Sequence, residues 1–500
     1  MIKILSSNSL INFVNKTFCS SVSKLQSIGK KLIFGLLTTI VLLGVIELGI
    51  RASGVVAGQA YIPPRLVQVI REGKIEGEFT TSNAPYFQKT GQWIETSPQY
   101  RNGNGAGFPA SGAMRHLKFK AEPAPGTQRY FLLGGSAALG QHPVDIKIPI
   151  TWETERLGQG VSALLEEDAI SGQIREMLET QGKNAEVFNA GMIAQDSGGV
   201  RRIALELLEY NPTGLIIYLG NNEGIGLSYG MQGEQLPWVP EVQDKMRTFH
   251  IYRLLSEKLA PARQSFSKPP PPLKGTKPVV LGQLTLTQWR AASEALMEKG
   301  QPTDSVYLAL QERLKNNLKE IVLAAEAKGV KVYIIPTPPN LNYAPFFDAN
   351  SPSLVETDIQ HYTQLIGKAK QAEQQKQWDT MEKILHEALE IEEHHASAWY
   401  LLGTAQNVLK QYPEALESRE KALLLDISRK RTLPIYSKTI AELCEKYSCK
   451  TSQVHSFFQD EVKKNGLSIY HQYFGDHEHL TPKGCKRIAS EFTRLITTEP

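Results

Sequence analysis

Three short blocks and one Asp–His pair stand where a hydroxyl could be turned into a nucleophile. In Arg129-Tyr-Phe-Leu-Leu-Gly-Gly-Ser-Ala-Ala-Leu-Gly140 an apolar run meets a glycine pair, a serine and small residues. That order reads as strand, tight turn and helix start, lifting the Ser136 side chain out at the carboxyl end of a strand beside the N–H groups of the next helix. The same turn would suit a phosphate loop or a plain strand-to-helix junction, but it has neither the P-loop lysine nor the Gly-x-Ser-x-Gly elbow. A serine so placed reacts only if the chain also supplies a base and donors for an oxyanion.

Phe188-Asn-Ala-Gly191 closes a second apolar run and can hold a backbone N–H beside that serine, or serve only as a turn. Leu219-Gly-Asn-Asn-Glu223 closes a third; an Asn side chain there can donate to a developing oxyanion, although Gly-Asn-Asn is also ordinary turn chemistry. The last piece is Gly475-Asp476-His477-Glu478-His479-Leu480-Thr481-Pro482. An Asp three residues before a His can orient the imidazole through one ring nitrogen and leave the other to take a hydroxyl proton. His479 lies just outside a helix predicted to start at Thr481 (N-cap) and Pro482, whose positive end disfavours imidazolium. The stretch could instead be a capping loop. With His471, His477, Glu478 and His479 it could also be a metal site, but no helical spacing or Cys partner supports one. No metal or cofactor is expected.

In this order, and each at a predicted strand end or helix mouth, the blocks resemble the SGNH (GDSL-like) hydrolases over roughly residues 127–345 and 430–497. The resemblance implies a three-layer α/β/α sandwich. It implies that Ser136 attacks an ester carbonyl and that His479 is the base, oriented by Asp476. The Ser136 amide, the Gly191 amide and the Asn222 side chain would hold the oxyanion, and loss of one such donor costs about 3 kcal/mol in the transition state. Two positions depart from the family. Gly135 stands where Asp is frequent, and Glu223 stands where Gly-x-Asn-Asp has Asp. Neither carries a proton in this mechanism, so they mark a divergent subgroup with altered hydrogen bonding at the site's rim.

The elements that must position these residues follow from periodicity. Tyr130–Leu133, Ala185–Phe188, Leu215–Leu219 and Val332–Ile335 are short apolar runs, as strands buried on both faces would be. Helical stretches such as Val161–Gln181 and Gly199–Glu209 lie between them, and the connection after Leu219 is longer and holds the Pro269–Pro272 run. Alternating β and α predicts an α/β domain built on a parallel sheet. After Thr481, Cys485, Ile488, Phe492 and Leu495 share one helical face.

Residues 362–429 break the alternation with a 34-residue repeat: Trp378 recurs as Tyr412 and Ala388-Leu389 as Ala422-Leu423. Trp399, Leu402, Gly403, Tyr412-Pro413, Ala415 and Ala422 resemble the tetratricopeptide (TPR) pattern, with a degenerate first copy that has Met381 where Ala415 sits later. Two copies are fewer than independent stability requires, so the pair should pack on the main domain or on flanking helices.

Leu32–Ile50 is a run of 19 residues with one ionisable group, Glu47, and Lys3, Lys16, Lys24, Lys30 and Lys31 precede it. At a rise of about 1.5 Å per residue it matches a bilayer core of about 30 Å. The positive-inside rule puts the N-terminus in the cytoplasm and residues from Arg51 onward outside, with Glu47 and Arg51 able to pair. A cleaved signal peptide would have a shorter apolar region and a better site than Ala52-Ser-Gly54. A buried soluble helix would show a polar face, which Thr38 and Thr39 alone do not make. Cys19 would be cytoplasmic; Cys444 and Cys449 could bridge outside, leaving Cys485 over.

The expected order is a basic tail (1–31), a transmembrane helix (32–50), a stalk or accessory segment (51–126), the hydrolase domain's first part (127–360), the TPR-like insertion (361–429) and the part carrying Asp-x-x-His (430–500). A formal charge of +4 over 500 residues gives no case for nucleic acid. The expected function is a single-pass inner-membrane serine esterase or deacylase with its catalytic domain on the periplasmic or extracellular side. Its substrate would be an ester, an acylated glycan among them, and the repeat could take a protein partner. With a sugar hydroxyl as acceptor the same residues would make an O-acyltransferase. A non-catalytic assembly protein using the repeat is the reading from a different class.

Overall fold

The computed structural model describes residues 66–71, 74–80, 86–97, 114–143, 161–193, 195–223, 304–346, 354–426 and 431–498, most of 34–49, and a few single positions besides. The expected basic tail, Arg51, Ala52-Ser-Gly54 and the Pro269–Pro272 run lie outside them. The chain divides into two compact units, residues 1–63 with 234–271, and 64–233 with 272–500. In the first, the described residues between Phe34 and Gly49 are helical, and the Glu47 carboxylate accepts the Ile251 N–H at 2.9 Å. Leu32, Ile33, Leu36, Ile40 and Ile50 of the expected span fall outside the described residues, among which no helix is long and apolar enough to cross a membrane.

The second unit opens with an antiparallel pair, β1 (Leu66–Arg71) and β2 (Lys74–Thr80), and a three-stranded antiparallel sheet, β3 (Phe87–Thr90), β4 (Trp93–Thr96) and β5 (Lys118–Lys120). Sequence gave these residues as a stalk with packed pieces. Phe87, Ile94 and Phe119 are in fact buried in the same core as Phe131 of the central sheet. Their alternation is only three or four residues long, too short to register as a period.

The central sheet holds β6 (Gln128–Gly134), β9 (Ala185–Asn189), β10 (Gly214–Leu219), β11 (Lys331–Pro336) and β12 (Cys449–Thr451), all parallel, in the order β12-β11-β10-β6-β9. A short pair, β7 (Gln141–Pro143) with β8 (Val161–Ala163), stands beside it. Four strands coincide with the apolar runs. The fifth, Cys-Lys-Thr, is a half-buried edge strand with no apolar run to announce it. The chain leaves β6 for the edge strand β9 and returns past β6 to β10, so the winding reverses between β6 and β10. The crevice above that reversal, at the carboxyl ends of the strands, is where ligands bind in sheets of this type.

Side chains alternate strictly between the two faces. Phe131, Leu133, Leu215, Ile217, Leu219, Val332 and Ile334 pack under α3 (Ser197–Leu207), α4 (Asp304–Glu326) and α9 (Pro434–Lys446). Tyr130, Leu132, Ile216, Tyr218, Tyr333 and Ile335 pack against α2 (Ile170–Thr180), α10 (Val454–Asn465) and α12 (Pro482–Thr497). Helices on both faces of a parallel sheet is the arrangement the apolar runs require, since neither face of these strands tolerates water.

Two helix expectations shift. Val161–Gln181 is not one helix: Val161–Ala163 pairs with Gln141–Pro143, and the helix begins only at Ile170. The chain doubles back at 165–169, where Ser171 Oγ donates to the Glu166 carboxylate at 2.6 Å and a Cβ at Gly172 would lie 1.9 Å from the Glu166 carbonyl oxygen. The helix expected at Gly199–Glu209 starts earlier, at Ser197, because the Asp196 side chain caps it by accepting the Gly199 N–H at 2.9 Å. It then tightens into a 3₁₀ turn over Leu208–Tyr210.

The repeat region forms four helices, α5 (Glu356–Gln374), α6 (Trp378–Ile391), α7 (Ala396–Val408) and α8 (Tyr412–Leu425). Its backbone repeats as its sequence does. Lys376 and Lys410, 34 apart, both adopt positive φ (57° and 64°), and Glu392 and Asp426 end their helices with N–H bonds to Ala388 and Ala422. The first three helices share a core of Tyr362, Leu365, Met381, Leu385 and Leu402, whereas Ala415, Leu416 and Leu423 of α8 join the core of the central sheet. The pair therefore docks on the α/β unit through its last helix, against α10.

Phe458 of α10 is the knot of that junction, stacked on Tyr470 at 5.8 Å and edge-on to Tyr473 at 5.4 Å. Phe458→Ala should lower stability by about 3–5 kcal/mol through the cavity it leaves. The expected result is a lower urea midpoint at unchanged slope, and an unmoved midpoint would contradict this packing.

Candidate active site

Each candidate residue is delivered by a strand end or a helix mouth. Ser136 opens α1 (Ser136–Leu139), a single turn directly after β6. The turn is possible only without side chains: a Cβ at Gly134 would lie 2.0 Å from the Tyr218 carbonyl oxygen, and one at Gly135 would lie 2.3 Å from Asn222 Nδ2. Gly135 is thus the residue that lets the Asn222 side chain approach this turn. Asn221, Asn222 and Glu223 follow β10 and are all buried.

Asp476 and His479 sit on a loop pinched at its base by the bridge between Phe474 and Leu480, with Gly475 N–H donating to the His479 carbonyl at 2.8 Å. Thr481 caps α12 by accepting the Gly484 N–H at 3.2 Å, with Pro482 as the first helical residue. Its hydroxyl also donates to the Gln472 carbonyl at 2.7 Å, tying the loop to α11 (Tyr470–Tyr473).

Ser136, His479 and Asp476 form one hydrogen-bonded line. Ser136 Oγ lies 2.8 Å from His479 Nε2, and His479 Nδ1 lies 2.5 Å from Asp476 Oδ2. An ionised carboxylate only accepts, so Nδ1 carries the proton and Nε2 is left to receive the serine's. Asp476 Oδ1 takes the N–H groups of His479 at 2.6 Å and Glu478 at 2.8 Å. Burial alone would raise the Asp476 pKa. The charge and bond of His479, the charge of His477 and the Glu478 amide outweigh it and hold the carboxyl well below its usual range.

The three oxyanion candidates are placed differently. The Ser136 N–H lies in the first turn of a helix, where amides have no intrahelical partner. Asn222 Nδ2 donates to the Gln195 carbonyl at 3.0 Å, which fixes the carboxamide and leaves its second hydrogen. The Gly191 N–H is already engaged, donating to Asn189 Oδ1 at 3.0 Å, and a Cβ there would lie 2.5 Å from Leu139 N. Gly191 thus approaches α1 closely while its N–H points back to its own strand.

Sequence reasoning passed over several positions. Asn189 clamps the second block, donating to the Ala138 carbonyl at 3.0 Å and to Ser171 Oγ at 3.1 Å. The Asx spacing of Asn189 to Gly191 carried that signal. Asn340, after β11, donates to the Asp476 carbonyl at 2.7 Å. Glu478 entered only as a possible metal ligand. Its Oε1 lies 3.5 Å from both Ser136 Oγ and His479 Nε2, and its Oε2 accepts from Asn221 Nδ2 at 2.7 Å. His471 lies apart from this group, with Nε2 2.8 Å from Asn342 Nδ2. Among the described residues no three His, Cys, Asp or Glu side chains are placed to hold a metal ion.

Glu223 anchors the third block, Leu219–Glu223, from behind. Its carboxyl accepts the Ser197 N–H at 2.7 Å and the Ser197 hydroxyl at 2.8 Å, and Arg313 donates to its backbone carbonyl at 2.6 Å. Asn317 adds a bond to Ser197 Oγ at 2.9 Å. The Glu223 side chain reaches α3 while Asn222, beside it, lies against Gly135 and the Gln195 carbonyl.

No known protein-family model matches the chain, and no curated protein matches it in sequence.

Burial and the nearby Asp196 push the Glu223 pKa from 4.5 up to about 7, against the opposing pull of Arg313 and the Ser197 bonds. Between those two values the folded chain holds more protons than the unfolded one, so this group lowers stability as pH rises through that window. Glu223→Gln should remove this loss. Thermal midpoints at pH 5 and 8 should fall more for wild type than for the variant; parallel pH dependences would exclude the assignment.

Proposed function

We propose that this chain is a serine esterase or deacylase of the SGNH type that works through an acyl-enzyme. The observation that carries the reading is the line Ser136–His479–Asp476, with contacts of 2.8 Å and 2.5 Å, drawn from two ends of the chain to the crevice where the sheet's winding reverses. A structural serine would have no use for a base held in one tautomer by a buried carboxylate.

In this reading Ser136 Oγ attacks the ester carbonyl carbon while His479 Nε2 takes its proton. Asp476 holds the ring and stabilises the imidazolium that forms. The carbonyl oxygen becomes an oxyanion against the Ser136 N–H and the free hydrogen of Asn222. Gly191 supplies a third donor only if its N–H turns from Asn189. The tetrahedral intermediate collapses, the carbon–oxygen bond to the alcohol breaks, and His479 returns the proton to that oxygen. A water, activated by the same imidazole, then releases the acid. With a sugar hydroxyl in place of that water the chain would be an O-acyltransferase on envelope polysaccharide, and for hydrolysis an acylated glycan is one candidate ester.

The place of action is part of the proposal: an inner-membrane anchor at residues 32–50 with the esterase outside. Phe34, Leu37, Val41, Leu42, Val45 and Leu48 are exposed on the helical segment, as residues facing lipid would be. Cys444 and Cys449 are joined in a disulfide, and such bonds persist in oxidising compartments. The four helices of residues 356–425 would be a TPR-like pair offering a surface to a protein partner.

A serine-directed fluorophosphonate should label the full chain at Ser136 and fail on Ser136→Ala. No label on wild type, or equal label on both, would sink the enzyme reading and leave a binding role. Asp476→Asn should lower kcat for ester hydrolysis by roughly 10⁴-fold, because the amide favours the wrong imidazole tautomer. A loss smaller than tenfold, measured with p-nitrophenyl acetate, would remove Asp476 from the mechanism.

A further inference from the structure

The mechanism above gives Glu478 nothing to do, yet its carboxylate stands at the reacting atoms. Oε1 is 3.5 Å from Ser136 Oγ, 3.5 Å from His479 Nε2 and 3.6 Å from His477 Nε2. Asn221 Nδ2 holds Oε2 at 2.7 Å and so fixes which oxygen faces the serine. The side chain is 11% exposed, so little water screens it.

Its position relative to the two sides of an ester decides what it can do. The oxyanion donors, Ser136 N–H and Asn222, belong to α1 and the loop after β10. Glu478 touches both elements, at 3.5 Å from Ser136 Oγ and held by Asn221 Nδ2 of that loop, and its Oε1 also faces His479 Nε2, the atom that returns a proton to the departing alcohol oxygen. A carboxylate beside the oxyanion would oppose catalysis. Beside the alcohol it stabilises the imidazolium and accepts a hydrogen bond from a neighbouring donor. A second anion on that side would meet a like charge a few ångströms away in a poorly solvated crevice.

We propose that Glu478 is a specificity-determining residue that excludes esters whose alcohol part carries an anion beside the ester oxygen and admits those carrying a neutral or cationic hydrogen-bond donor there. The inference rests on the serine esterase reading and adds the charge of the substrate it takes.

Methyl 2-acetoxybenzoate and 2-acetoxybenzoate test it. Both are acetyl esters of a phenol, and they differ in whether an anionic carboxylate sits next to the ester oxygen. The kcat/KM ratio of neutral to anionic ester should fall at least roughly tenfold from wild type to Glu478→Gln, since comparing one pair of esters across two proteins cancels their intrinsic reactivity. Glutamine keeps the Asn221 bond and the shape, so a merely structural role would change both esters together and leave the ratio unmoved. In wild type alone, the neutral ester's advantage in kcat/KM should exceed its advantage in hydrolysis by free imidazole, a readout that does not need the variant to fold. An unchanged ratio in Glu478→Gln, with hydrolysis that Ser136→Ala abolishes, overturns the charge filter and leaves the esterase intact. Absence of Ser136-dependent hydrolysis together with absence of fluorophosphonate label overturns the esterase reading and this inference with it.

Discussion

A carboxylate buried almost completely in protein must have its charge met by donors, or it will take up a proton and cease to be a charge. Asp476 is met on every side: His479 Nδ1 at one oxygen, the Glu478 and His479 amides at the other. Those bonds cannot be made by an open loop. They require the chain to turn back within three residues, which the Phe474–Leu480 bridge and the Thr481 cap enforce. The loop is folded around its own anion, and the imidazole direction follows from that folding.

The opposite wall of the site is set by the absence of side chains. Ser136 can meet His479 only because β6 ends in a turn pressed against β10, where Gly134 lies under the Tyr218 carbonyl and Gly135 under the Asn222 amide. Gly191 brings the end of β9 to the backbone of α1 in the same way. The backbone-to-backbone contacts at Gly134 and Gly191 fix distances more firmly than side-chain packing, because there is no rotamer to change. One wall is held by hydrogen bonds to a charge and the other by van der Waals contact, and the serine–histidine bond spans them.

Much of this was legible in the sequence, for reasons that differ by residue. Tyr130–Leu133 and Leu215–Leu219 announce themselves because a strand buried on both faces must be apolar throughout. Thr481-Pro482 announces a helix start because capping is local chemistry. The 34-residue repeat was visible because a repeated turn, at Lys376 and Lys410, needs repeated residues. What stayed hidden depends on partners distant in sequence. The edge strand Cys449–Thr451 exists through its pairing with Val332–Ile334, and Val161–Ala163 is a strand because Gln141–Pro143 lies beside it. Asn340 was not legible and Glu478 was legible only as a possible metal ligand, since their contacts arise only when β11, the loop after β10 and the Asp476 loop converge.

That convergence ties the helical segment to the site. Asp426, which ends α8, pairs with Arg431 at 3.1 Å, and both are buried. Arg431 donates onward to the carbonyls of Asn340 at 3.3 Å and Tyr343 at 2.9 Å, and Asp426 also accepts the Phe346 N–H at 3.1 Å. Asn340 in turn donates to the Asp476 carbonyl. Tyr400 of α7 adds a bond to the Asn342 carbonyl at 3.1 Å. Residues 337–346, which follow β11, form no helix or strand, and these bonds hold them. Removing either partner of a buried ion pair strands the other charge, so the last repeat helix and this loop must be in place together. The four helices are therefore more than an appendage that tolerates the α/β unit. Their final turn supplies part of the frame in which Asp476 is held, through Arg431 and Asn340.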